Sequence, residues 1–147
     1  MRWWSGGIAG VGALVMAACG PTHQLRRYAE DATAIQTEHE DQPRLGVPAW
    51  IEFLRTRLPE AEAAADALIA DTTTAADASA ALESLAPRLT ALEEAERRFA
   101  RRVVSDPQLI DTLRALGADE VEALNTRHRE LWSRLNRALR SAGGAAD

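Results

Sequence analysis

Residues 75–104 read AADASAALESLAPRLTALEEAERRFARRVV, and this stretch decides the fold class. Leu82, Leu85, Leu89, Leu92, Phe99 and Val103 recur at spacings of three, four and seven, which puts them on one side of a helix in heptad register. Pro87 falls on the outer side and leaves that phase intact. Glu93, Glu94, Arg97, Arg98, Arg101 and Arg102 fill the remaining faces, a pattern that predicts a solvated surface with Glu94 and Arg98 as an i,i+4 pair. One residue breaks the stripe: Glu96 stands between Leu92 and Phe99. A carboxylate buried without a partner costs several kcal/mol, so Glu96 requires a hydrogen-bonding partner, a water path or partial exposure.

The chain on either side carries the same period. Toward the C-terminus, Ser105-Asp106-Pro107 ends the long helix and opens a short one over residues 107–116, stopped by Gly117. Asp119 is then the expected cap of a last helix to about residue 141, with Val121, Leu124, His128, Leu131, Leu135 and Ala138 along its seam. Toward the N-terminus, Thr72-Thr73-Thr74 reads as a connection. Before it, Ile51, Leu54, Leu58, Ala61, Ala65 and Leu68 keep one phase straight across Pro59, which predicts a single kinked helix over residues 48–71 beginning at Pro48. A turn over residues 42–46 separates it from a first helix over residues 23–41, whose stripe is Leu25, Tyr28, Ala32, Ile35 and His39.

No comparable strand pattern appears. The expectation is an all-α protein, an antiparallel up-down bundle of four long, partly kinked helices plus one short one. A helical hairpin that dimerises to hide the same stripes is the alternative. Ala61, Ala63, Ala64, Ala65 and Ala67 would let the second helix lie close to a neighbour, while Trp50, Phe53 and Trp132 flank the seams as core-edge aromatics.

The first residues are of another kind. After Arg2, residues 6–18 are apolar or small throughout. Thirteen residues of helix span only ~20 Å, short of the ~30 Å hydrocarbon core of a bilayer, so the segment reads as the hydrophobic part of a signal peptide. At its end Met16-Ala17-Ala18-Cys19 resembles the lipobox of bacterial lipoproteins, with Met16 where that family prefers Leu. The resemblance covers residues 1–20. It implies a signal peptide over residues 1–18, cleavage before Cys19, acylation of the Cys19 thiol and attachment to membrane lipid. It accounts for the lone cysteine, which would be unusual as a free thiol in an oxidising compartment. The exported part divides into a helical domain over residues 19–142 and a disordered tail over residues 143–147. Gly20 stands where an Asp would signal inner-membrane retention, so the expected address is the periplasmic face of the outer membrane if the cell is Gram-negative.

Composition narrows the function classes. All 17 basic residues are arginine, against 22 acidic ones, for a net charge of -5. Loss of Arg2 with the signal segment makes that -6. The two signs are interspersed, and without a basic stripe to meet phosphates nucleic acid is not an expected partner. Neither a phosphate loop nor a recognisable catalytic constellation occurs, so an enzyme is not expected. No cofactor is expected either: one cysteine cannot form Cys-x-x-Cys-His, and both methionines precede Cys19.

Two polar seam residues remain. Glu96 lies eight residues before Val104, and His128 nine residues after Asp119. In an antiparallel pair both then stand ~12–14 Å from the connecting end, so the expectation is a buried Glu96–His128 contact that fixes helix register. His39, Glu96 and His128 together would make a plausible zinc set, although single ligands on separate helices are a weak signal and no metal site is assigned. The leading expectation is a lipid-anchored interaction or scaffold module of the cell envelope, with an envelope protein or a second copy as partner. The alternative is a periplasmic bundle that binds a small ligand or a metal.

Overall fold

The protein is described by a computed structural model over residues 20–144; the expected signal segment, Cys19 and residues 145–147 of the expected tail lie outside the described residues. Five helices follow one another among these residues: α1 (Pro21–Glu38), α2 (Pro43–Asp71), α3 (Ala75–Val104), α4 (Leu109–Leu116) and α5 (Ala118–Ala142). No strand occurs among the described residues, and the fold is an all-α bundle. No described helix is long and apolar enough to cross a membrane.

Local chemistry sets the helix ends and shifts several from their expected places. α3 begins on a capping box: the Asp77 amide donates to Thr74 Oγ1 (3.1 Å) and the Thr74 amide to Asp77 Oδ2 (3.2 Å). The three threonines thus do more than connect. α2 starts at Pro43 rather than Pro48, so residues 43–46 are helix and the turn shrinks to residues 39–42. Gly46 permits this by close approach. A Cβ there would stand 2.6 Å from His39 Cβ and 2.7 Å from the Phe99 ring, inside any real contact distance. α2 then runs unbroken through Pro59. At the other end of the chain, α4 begins at Leu109 because Asp106 Oδ1 accepts from the Gln108 amide (3.0 Å) and holds residues 106–108 in a turn. Gly117, at φ +91°, ends α4 and immediately precedes α5. Asp119 sits in the first turn of α5 and is not its cap. Gly143 and Gly144 close α5 as a turn.

Helix order around the bundle differs from a simple up-down ring. α1 packs on α2 and α3, α5 packs on the same two, and α2 and α3 scarcely touch. The short α2–α3 connection therefore crosses the bundle diagonally. The four long helices alternate in direction along the chain, so α1 and α3 become parallel neighbours, as do α2 and α5. Charge ladders record both pairings. Arg26–Ser84, Glu30–Arg88 and Glu40–Arg98 rise together along α1 and α3; Arg55–Glu120, Glu62–Arg127 and Asp66–Arg134 rise together along α2 and α5. Arg98 and Arg102, expected on a solvated face, reach Glu40 and Asp41 at the end of α1. Complementary flanks of distant helices thus take charges that a local reading assigns to water or to i,i+4 pairs.

Inside, Leu25, Ile51, Leu54, Leu58, Leu85, Leu92, Leu131 and Leu135 are at most 2 % exposed. Each such side chain contributes about 1.5–3 kcal/mol relative to solvent exposure. Ala61, Ala64 and Ala65 are buried where α2 meets its neighbours, whereas Ala63 and Ala67 face solvent. Trp50 and Phe53 belong to the core rather than to its edge, each 6 % exposed. A smaller cluster, Val47, Phe99 and Leu109, seats α4 against the main body.

Candidate functional site

The seam of α5 delivers His128 into the core, where the residue is 2 % exposed. Its Nε2 lies 2.7 Å from Glu96 Oε1 on α3, and its Nδ1 lies 2.7 Å from Tyr28 Oη on α1. The expected Glu96–His128 pair is thus assembled. α4 could have shifted the α3–α5 register, but it folds aside against α2 and α5, leaving the antiparallel alignment intact.

Tyr28 is a third member that the stripe presented only as an apolar seam residue. A buried tyrosine hydroxyl demands a partner, and that was the available signal. Burial, followed by the Glu96 and Glu62 carboxylates, pushes the Tyr28 phenol well above its ordinary range, so it stays a hydroxyl and a donor. The Nε2–H tautomer of His128 satisfies both ends: Tyr28 O–H donates to Nδ1, and Nε2–H donates to the Glu96 carboxylate.

Aromatic rings fix the imidazole from several sides. Trp50 meets it edge-on at 5.0 Å and Trp132 at 6.2 Å, and Phe53 stacks on both Tyr28 (5.1 Å) and Trp50 (5.5 Å). Trp50 is oriented in turn, because its Nε1–H donates to Asn125 Oδ1 (2.9 Å) while the Asn125 amide donates to Val121 O (2.9 Å).

Glu96 is the outlet of this network. Its side chain is 34 % exposed, and its second carboxylate oxygen has no hydrogen-bond partner among the described residues. It faces a cleft of about 370 Å³, within the size range of small-molecule sites. Val47, Trp50, Ile51, Phe99, Val103 and Leu113 form most of its wall, with Gln36, Asn125 and His128 beside Glu96 and with Arg129 also on the lining. Gln36 is 3 % exposed, and its carboxamide makes no hydrogen bond among the described residues. The expected stripe of α1 runs through Ile35 and His39, but the buried polar residue is Gln36, four residues beyond Ala32. Tyr28, Ala32 and Gln36 form the i+4 series that would have revealed it.

His39 does not join the site. It caps the C-terminus of α1, with its Nδ1 2.8 Å from Ile35 O. Both ring nitrogens of His128 are already engaged, so neither is free for a metal. Glu40 and Asp41, the acidic residues that follow His39, pair with Arg98 and Arg102. Among the described residues no group of three His, Cys, Asp or Glu side chains is placed to hold a metal ion. The candidate set of His39, Glu96 and His128 is therefore not brought together, because His39 follows the helix end and not the stripe.

The order carboxylate, imidazole, hydroxyl is that of a hydrolytic triad, but the hydroxyl here belongs to a phenol only 2 % exposed, out of reach of a substrate. What the cleft offers is the free oxygen of Glu96, the carboxamide of Gln36 and an apolar wall. No family model, curated protein or solved structure matches the chain.

Proposed function

We propose that this chain is a lipid-anchored binding module of the bacterial cell envelope, held to a bilayer through acyl chains on Cys19 and working through the cleft beside Glu96. The observation that carries the binding role is an apolar cleft of small-molecule size, lined also by a carboxylate with one free oxygen and by a buried carboxamide that makes no hydrogen bond among the described residues. Such a combination of apolar wall and few convergent polar groups suits a ligand site. Of the two forms expected from the sequence, it favours the small-ligand binder without a metal.

The anchor rests on Met16-Ala17-Ala18-Cys19 following the apolar run. Gly20 alone separates Cys19 from Pro21, the first residue of α1, so the bundle rides directly on the lipid surface. Gln36 lies fifteen residues further along the helix, ~22 Å from that end, and the cleft opens toward the membrane-distal half. Leu45, Val104 and Ile110 are exposed at 60 %, 86 % and 54 % in the same half. They favour a second reading, in which this end is the contact for an envelope protein or for another copy.

Two measurements test the proposal. Wild-type protein partitions with detergent in a phase-separation assay, and Cys19→Ala protein stays in the aqueous phase; equal partitioning removes the anchor. Mass spectrometry of organic extracts from protein purified out of its own envelope detects a co-purifying small molecule. That molecule is lost when Ala100→Phe, a substitution on the cleft lining, obstructs the cleft. A molecule retained in equal amount by Ala100→Phe, or none in the wild type, refutes the ligand site.

A further inference from the structure

Elsewhere in this bundle, carboxylates that face another helix meet guanidinium groups. Glu30 meets Arg88, Asp31 meets Arg57, and Glu120 accepts two hydrogen bonds from Arg55. Glu96 is the exception. It is the carboxylate lining the cleft, its partner is an imidazole N–H, and among the described residues no guanidinium lies within ion-pair distance of it. A half-buried anion satisfied on one oxygen only presents the other to whatever enters. Gln36 adds a carbonyl acceptor from α1, and Trp50 lines the same cleft. Arg129 is the one guanidinium among the described residues of the lining; it is exposed and bonded to Thr126, so water screens its field.

From this arrangement we infer that the cleft selects an amphipathic ammonium cation, whose N–H groups bond the free oxygen of Glu96 and the Gln36 carbonyl while its hydrocarbon part lies along Ile51, Phe99 and Val103. The inference rests on the cleft being a ligand site. The chemistry is specific at Glu96: an ammonium has donors only and the free carboxylate oxygen accepts only, while the Gln36 carboxamide adds its oxygen as a second acceptor beside its own N–H donors. The apolar wall gives no reason to prefer a fully polar cation. A neutral alcohol of equal length would keep the wall contacts and lose the charge-assisted bond. A carboxylate of equal length would meet Glu96 with the same sign of charge. The imidazole behind Glu96 holds the carboxylate in place, so its free oxygen is presented without reorganisation on binding.

The test uses the full chain in nanodiscs of zwitterionic lipid, with empty nanodiscs as the blank. Hexylammonium, hexanol and hexanoate are titrated separately while tryptophan emission and binding heat are followed. Hexylammonium is expected to bind at least about tenfold more tightly than hexanol, as one hydrogen bond to a charged group implies, and hexanoate not to bind. Glu96→Gln, which still offers an oxygen to His128, is expected to erase the preference for hexylammonium over hexanol. Gln36→Leu is expected to weaken hexylammonium and leave hexanol unchanged. Equal affinity for hexylammonium and hexanol in the wild type overturns the cation inference and leaves the cleft as an apolar site. Absence of binding by all three at millimolar concentration overturns the cleft reading as well. The wild-type comparison stands even if a variant fails to fold.

Discussion

Replacing Tyr28 with Phe removes one oxygen from a packed ring and tests whether the polar chain through His128 is a working part of the core. The ring keeps its stacking on Phe53 at 5.1 Å. His128 Nδ1, which accepts from the hydroxyl at 2.7 Å in a residue 2 % exposed, is left without a donor. A net hydrogen bond contributes about 0.5–1.5 kcal/mol, and an orphaned buried acceptor costs about 1–3 kcal/mol. A loss of about 2 kcal/mol is expected, which for a domain of this size lowers the melting temperature by roughly 6–10 °C. The same substitution made beside His128→Leu has no acceptor left to orphan, so it should cost little there. The assay is a double-mutant cycle by urea unfolding, read at unchanged m-value. A coupling of at least about 1 kcal/mol is expected. If the two substitutions add to within about 0.5 kcal/mol, the three residues share a location but no energetic chain, and the tautomer assigned to His128 loses its basis.

Three other consequences follow from named contacts. Gly46→Ala drives a methyl group against His39 and the Phe99 ring; it should destabilise by about 1–3 kcal/mol in urea titrations, and an unchanged midpoint would mean that the α1–α2 turn is looser than described. Thr74→Ala removes the acceptor for the Asp77 amide and should cost about 1 kcal/mol, with amide exchange accelerating first in the opening turn of α3. Acid should destabilise the fold. Hydrogen bonds from Thr74, Arg44 and Arg55 hold the Asp77, Asp106 and Glu120 carboxyls, respectively, below their ordinary ranges. The folded state therefore binds fewer protons than the unfolded chain, and the stabilisation these groups provide is present above the unfolded carboxylate range and lost as pH falls below about 4.5. Melting curves between neutral pH and pH 3 should show that loss, flattened in Glu120→Gln; an unaltered slope in the variant counts against the Arg55–Glu120 bridge.

Periodicity alone located the long helices, carried one of them through Pro59, and placed Glu96 and His128 on inward faces. These properties are local. The angle at which a side chain leaves its own helix axis depends only on residue spacing, and a leucine stripe interrupted by one polar residue records the interruption directly. Helix ends were less legible, because Pro43, Gly46 and Thr74 act through contacts with particular neighbours: Gly46 as helix needs the Phe99 ring above it. The choice of neighbours was decided only by the tertiary structure. Stripes give the direction of the core but not which helix fills it, and four similar stripes fit more than one ring order. The ladders along α1–α3 and α2–α5, formed by residues about sixty positions apart, accompany the diagonal connection. That order puts Tyr28 behind His128, leaves His39 at a helix end, and opens the cleft onto Glu96, since each of these placements depends on three helices meeting at once.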